Sequence, residues 1–136
     1  MDVRRLLAKD AAALDVWFIG QGRRDLSAAA FLADDQVLAI GGFVHDDLVG
    51  GAWGHLLARP DGPPMAMLYE LEVEDPQRRK GLGQALVEAF RLEAKQAGCG
   101  ACWSLAAGSN RAANALYEAA GGQREGDRVI YHWNLA

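Results

Sequence analysis

The chain has 136 residues, enough for one compact domain with a continuous core and too few for two. A hydrophobic content of 51%, a charged content of 24% and a net charge of −4 are those of a globular protein, and this acidic balance excludes a broad nucleic-acid footprint. No apolar run approaches a membrane span, and the start M-D-V-R-R-L-L-A-K-D lacks the apolar core of a signal peptide, so a cytoplasmic protein with neither membrane nor nucleic-acid partner is expected.

In chain order, residues 3–7 predict a short first strand, and Asp10 is placed to cap a helix over 11–19. Gly20-Gln21-Gly22 breaks that helix, and Ser27 opens a second short one through Leu32. Residues 37–44 (V-L-A-I-G-G-F-V) and 48–57 (L-V-G-G-A-W-G-H-L-L) flank His45-Asp46-Asp47, which predicts a hairpin. After the loop R-P-D-G-P-P at 59–64, Met65 opens a third long strand. Leu82, Leu86, Ala89, Phe90 and Ala97 then recur at helical spacing, with Gln84, Glu88, Arg91 and Lys95 opposite, predicting a helix about 16 residues long that Gly98 and Gly100 end. Residues 102–106 read as a short strand, 110–120 as a helix closed by Gly121-Gly122, and 128–135 (R-V-I-Y-H-W-N-L) as a last strand of β-branched and aromatic residues. The predicted order is β-α-α-β-β-β-α-β-α-β, a single α/β domain over 1–136 with helices on both faces of one sheet.

The chemistry concentrates at 68–83, L-Y-E-L-E-V-E-D-P-Q-R-R-K-G-L-G. Alternation places Tyr69, Leu71 and Val73 on one face of an extended strand and Glu70, Glu72 and Glu74 on the other, with the carboxylates roughly 6 to 7 Å apart. Asp75-Pro76 ends the strand. Arg78, Arg79 and Lys80 then lead into Gly81-Leu82-Gly83, where glycines allow close backbone approach and a helix start offers unpaired N–H groups and a positive dipole end. Such a turn is an anion site, most simply for phosphate. A Walker A loop has no match, and a dinucleotide fingerprint starting at Gly81 fails because Leu86 fills its third small position. The pattern that fits is [Q/R]-x-x-G-x-G/A, met by Arg78, Gly81 and Gly83.

Cys99 and Cys102 form C-x-x-C, but the pair follows a helix and enters a strand, opposite to the redox arrangement that lowers a thiol pKa. There is no second pair, and His45, His55 and His132 lack ligand spacing, so the cysteines are read as structural and no metal is expected. Trp53, Trp103 and Trp133 are read as core or interface residues.

The succession L-Y-E-L-E-V, Q-R-R-K-G-L-G, long amphipathic helix, short strand and N-R-A-A-N-A-L-Y-E-A-A-G resembles the GNAT superfamily of N-acetyltransferases over nearly the whole chain. Within it, Y-E-L-E-V, L-Y-E-A-A-G and R-E-G-D-R-V-I-Y-H-W-N-L are most similar to the aminoglycoside 3-N-acetyltransferases. The resemblance implies a mixed, mostly antiparallel GNAT sheet and acetyl-CoA as acetyl donor. It further implies that Arg78, Arg79, Lys80, Gly81, Leu82, Gly83 and Gln84 hold the pyrophosphate. Leu71, Glu72 and Val73 would offer backbone groups to the acetyl carbonyl and pantetheine arm, Asn110 would contact the cofactor, and Tyr117 would stand near the sulfur and protonate the leaving thiolate. The expected acceptor is a small-molecule amine, with an aminoglycoside 3-amino group leading and a polyamine or protein N-terminus as the alternative; a CoA-binding module without catalysis is the reading from another class. Dimers are common in the superfamily, and the aromatic stretch 131–133 is a candidate surface for a homodimer.

The residue types suit that chemistry. An alkyl amine with a pKa near 10.4 is almost wholly protonated at pH 7, so exposing its lone pair costs about 4 to 5 kcal/mol. A carboxylate beside the thioester attracts the ammonium and accepts its proton, directly or through water. Glu70 leads for that role because it precedes Leu71, whose backbone the resemblance sets beside the acetyl group, and because the aminoglycoside enzymes it resembles carry an acid at the matching place; Glu72, on the same face, is placed to share it, and Glu74 is expected to be solvated. The same alternation would also serve as a merely solvated strand face.

Overall fold

A computed structural model describes residues 1–74, 77, 78 and 81–136. Five strands, β1 (Asp2–Arg5), β2 (Val37–Val44), β3 (Asp47–Leu57), β4 (Met65–Val73) and β5 (Ala101–Ser104), form one sheet in the order β1-β2-β3-β4-β5. Every pairing is antiparallel except β4 with β5. The helices are α1 (Ala11–Gly20), α2 (Ala28–Ala33), α3 (Leu82–Gln96) and α4 (Arg111–Ala119), with a 3-10 turn at Ala8–Asp10 before α1. Among the described residues no helix is long and apolar enough to cross a membrane.

Each long element forms where the sequence places it. The β2–β3 hairpin closes through His45 and Asp46 with φ of 50° and 66°, the paired left-handed residues that match strand twist in a two-residue turn. In α3 the stripe Leu82, Leu86, Val87, Phe90 and Ala94 is buried against Leu38, Ile40, Val49, Ala52, Ala66 and Leu68 of the sheet. Ala97, expected on that stripe, is instead the exposed C-cap. The helix ends where Gly98 turns to φ 89° and Cys99 N–H reaches back to the Ala94 carbonyl at 3.1 Å. Helices α1 and α2 cover the opposite face through Leu14, Trp17 and Ala28 on Val37, Ala39, Phe43 and Trp53, so the sheet separates two apolar clusters.

Asp10 departs from its expected role. It stands at the N-cap position of α1 without a side-chain capping bond. Its buried carboxylate instead accepts two bonds from the Arg4 guanidinium, at 2.9 and 3.0 Å, and one from Leu7 N–H at 2.8 Å. Arg4 in turn lies 4.4 Å over the Phe43 ring. Arg4's hydrogen bonds hold the Asp10 carboxyl below the usual carboxylate range. A lowered folded-state pKa contributes stability above the unfolded value near 3.9, and that stability is lost as pH falls through the folded value. Arg4→Ala should therefore cost about 1–3 kcal/mol at neutral pH by leaving a buried carboxylate short of donors. Thermal melts at pH 7 and at pH 3 check this: the gap between variant and native chain should narrow sharply at the lower pH.

The expected last strand does not form. Residues 128–135 are neither strand nor helix, because among the described residues no strand lies beside them to complete a ladder. Cys99 and Cys102 are free, and desolvation pushes both thiols up. That is the opposite of activation.

Candidate functional site

Strand β4 outruns its parallel neighbour. Pairing with β5 ends at Leu68 opposite Ser104, while pairing with β3 continues to Val73. Over residues 69–73 one edge of β4 has no strand beside it among the described residues. The opening coincides with a β-bulge: Trp53 faces Glu70 and Gly54 faces Leu68, so Tyr69 is an extra residue. An extra residue bends its strand and increases local twist. Gly54 permits this, since a Cβ there would overlap the Met67 carbonyl. The bulge also corrects the alternation. Tyr69, expected beside Leu71 and Val73, is 62% exposed, whereas Leu71 and Val73 pack on the α3-side cluster.

The three acids do share the face toward α1 and α2, but their surroundings differ. Trp17 Nε1–H donates to Glu74 Oε1 at 3.0 Å, so Glu74, expected to be solvated, is anchored under α1. Arg23 Nη2 bonds Glu72 Oε1 at 3.1 Å while its guanidinium lies 4.9 Å over the Phe18 ring. Glu70 has no hydrogen bond or ion pair among the described residues. It lines a chamber of about 200 Å³ with Phe18, Phe31, Trp53, Arg23 and Asp25. Trp53 stands edge-on to both Trp17 and Phe18, at 5.9 and 5.6 Å, which gives the chamber a rigid aromatic wall.

On the other side of the Arg23–Glu72 pair lies a cleft of about 1010 Å³. Leu71, Glu72 and Val73 of β4 and Glu74 just beyond it line it, with Arg78, Trp17, Asn110 before α4, and Ala113 and Leu116 of α4. Arg78 Nε–H donates to the Val73 carbonyl at 3.2 Å, bringing a guanidinium to the end of the open edge. Beyond it Gly81, at φ 83°, turns the chain into α3, whose first N–H groups belong to Leu82, Gly83 and Gln84. Gly83 faces Leu116, so a side chain there would press on α4. Arg79 and Lys80, expected to hold phosphate, and Asp75-Pro76, expected to end β4, lie outside the described residues.

Asn110 is the N-cap of α4, its Oδ1 accepting from Ala113 N–H at 3.1 Å, which leaves its amide N–H groups for a ligand. Tyr117 is half-buried, packs against the cluster beneath α3 and is not among the residues lining the cleft; Leu116 is. Its hydroxyl makes no hydrogen bond among the described residues. Sequence reasoning missed Arg23 and Gly54 and left Trp17 open between a core and a site role. Arg23 meets an acid 49 residues away and Trp17 one 57 residues away, separations that leave no local pattern. The one available signal was the Gly50-Gly51 and Gly54 spacing within an otherwise apolar strand, which marks close backbone approach.

Among solved structures, an aminoglycoside acetyltransferase, meta-AAC0020, from an uncultured soil metagenomic sample matches with a TM-score of 0.85 at 18% identity, covering 99% of this chain and 96% of that one. The aminoglycoside N-acetyltransferase AAC(6')-Iy in complex with CoA matches at 0.80 and 17%, covering 99% and 100%. A ribosomal-protein-alanine N-acetyltransferase from Brucella melitensis matches at 0.78 and 20%, covering 97% and 98%. At these identities the likeness is one of fold. Comparison with curated protein sequences finds no significant match. The model of the Acetyltransferase (GNAT) family matches residues 6–122, which contain the glycine turn, the open edge of β4 and both helices beside it. By that match, and by the sheet that carries it, this chain belongs to the GNAT family of acetyltransferases, whose acetyl donor is acetyl-CoA.

Proposed function

We propose that this chain transfers the acetyl group of acetyl-CoA directly to a primary amine of a small polycation, with an aminoglycoside amino group, the 3-amino group first, as the leading acceptor. The observation that carries the reading is the open edge of β4 lying between two cavities, a long cleft on one side and a chamber with an unpaired carboxylate on the other. The cleft suits acetyl-CoA. Backbone groups along the open edge at residues 69–72 match an amide-bearing pantetheine arm, and the N-terminus of α3 with Arg78 at its mouth suits a pyrophosphate. In this reading Arg78, Gly81, Leu82, Gly83 and Gln84 hold the phosphates, while Leu71, Glu72, Val73 and Asn110 position the arm.

The chain's own groups then manage protons. Glu70 receives the ammonium in the aromatic chamber and takes its proton, freeing the nitrogen lone pair for the thioester carbonyl carbon. As the carbon–sulfur bond breaks, Tyr117, turned from its packing beside Leu116 toward the cleft, gives its proton to sulfur, and the second proton of the attached nitrogen passes through water to restore the tyrosine, so that the products are a neutral amide and free CoA. Glu72 steers cations: it already holds a guanidinium, and an arriving ammonium competes with Arg23 for it. A chamber of about 200 Å³ admits one ring or one residue at a time, which also suits a peptide N-terminus.

A thiol-release assay with acetyl-CoA and a panel of aminoglycosides, polyamines and N-terminal peptides tests the reading. Product NMR separates 3-amino from other acetylation, and no turnover with any amine despite CoA binding sinks it. Arg23→Ala should lower KM for a polycationic acceptor several-fold while leaving kcat within about twofold, because it vacates Glu72 without touching Glu70. Steady-state kinetics check this; an unchanged or raised KM for every acceptor contradicts the steering role.

A further inference from the structure

The acidic face of β4 ends in a residue that the amine chemistry does not use. Glu74 follows the last strand residue, Val73, and is bonded in three directions. Its N–H donates to the Val49 carbonyl of β3 at 2.9 Å, its own carbonyl accepts from Gln77 N–H at 2.9 Å, and its Oε1 accepts from Trp17 Nε1–H of α1 at 3.0 Å. One residue thus ties the sheet and α1 to the start of the segment that leads into Gly81. The next residue along, Arg78, donates back to the Val73 carbonyl at 3.2 Å.

Trp17 is itself fixed. Its ring is buried, edge-on to Trp53 at 5.9 Å and tilted against Phe18 at 5.7 Å. An indole N–H is a donor only, and leaving it buried without an acceptor is costly, so the ring and the carboxylate hold each other. A carboxylate bonded to a packed ring has little freedom, and the backbone that carries it shares that restraint. The direction in which the chain leaves β4 toward the glycine turn is therefore set from α1, on the far side of the sheet from α3.

We propose that Glu74 is a positioning residue for the donor: through Trp17 it fixes the end of β4 from which Gln77 and Arg78 set out, and so aims the phosphate turn at the cleft. The proposal rests on the reading of that cleft as the acetyl-CoA site. Glu74 lines the cleft and not the chamber, and its carboxylate already has a donor, which separates it from the proton chemistry of Glu70. Three acids on one strand face then have three tasks: Glu70 takes a proton, Glu72 holds a cation, and Glu74 holds the geometry of an anion site. Backbone N–H groups bind phosphate tightly only when they are held in place beforehand, so a loosened turn loses donor affinity.

Calorimetric titration of the full chain with CoA tests this without any acceptor amine. Glu74→Ala should raise the Kd about tenfold, the weight of one hydrogen bond to a charged group. With saturating acetyl-CoA, kcat and the acceptor KM should stay within about twofold. Glu74→Gln, whose amide oxygen still accepts from the indole, should restore the Kd to within about twofold of the native chain. Trp17→Phe keeps a ring without the N–H and should repeat the loss, and the double variant Trp17→Phe/Glu74→Ala should be no worse than either alone. A native Kd in Glu74→Ala overturns the proposal, even if the melting temperature falls, because Glu74 is then only structural. A loss that glutamine does not restore, or losses that add in the double variant, overturn it as well. Arg78→Ala separates the inference from the reading beneath it. Unchanged CoA affinity in Arg78→Ala removes the cleft as the donor site and the inference with it, whereas a loss there with none in Glu74→Ala overturns the inference alone.

Discussion

Glu70→Gln is expected to reduce turnover with a primary amine at pH 7 by roughly 10²- to 10⁴-fold, the range assigned to a positioned general base. The size follows from the acceptor: an amine with pKa near 10.4 leaves well under one part in a thousand unprotonated at pH 7, and glutamine cannot take the remaining proton. The residual rate should then track the free amine in solution, rising about tenfold per pH unit between 7 and 9. The native chain should rise far less steeply. CoA affinity should be unchanged, because Glu70 lines the aromatic chamber and not the cleft. The contrast with its neighbours sharpens the test. Glu72 and Glu74 are engaged by Arg23 and Trp17, so neither is free to take over without giving up its partner. An unchanged rate with an unchanged pH profile would move the base to Glu72 or to water.

Gly54→Ala is expected to damage fold and activity together, through one methyl group. A Cβ at this position would overlap the Met67 carbonyl, which is backbone and has no rotamer to escape into. Either the bulge at Tyr69 is lost, shifting the register of Glu70 and everything after it, or β3 and β4 separate locally. The cost should be about 3 kcal/mol, at the upper end of overpacking penalties, or roughly 10 °C in melting temperature for a domain of this size. Any folded fraction should bind CoA poorly, since losing the bulge removes the bend that coincides with the open edge of β4. A melting temperature within about 2 °C of the native chain would show that the strand accommodates the methyl group and that the bulge does not depend on Gly54.

Both results rest on a site that was only partly legible in the residues. Local patterns located β2, β3, β4, α3 and α4 nearly to the residue, because strand composition around a turn, alternation in β4 and helical spacing in α3 are properties of adjacent positions. It also determined that Glu70, Glu72 and Glu74 share a face, and that a glycine turn opens the long helix beside them. The tertiary structure alone decided which acid stands unpaired. Arg23 and Trp17 reach their partners from across the chain, and such pairings exist only once α1 is packed on the sheet. It likewise decided where β4 parts from β5: the bulge that displaces Tyr69 is a relation between two strands, made possible by a glycine on the partner. The last segment shows the same division from the opposite side. Residues 128–135 have the composition of a strand, yet a strand is completed by the edge it bonds, and among the described residues no edge pairs with them.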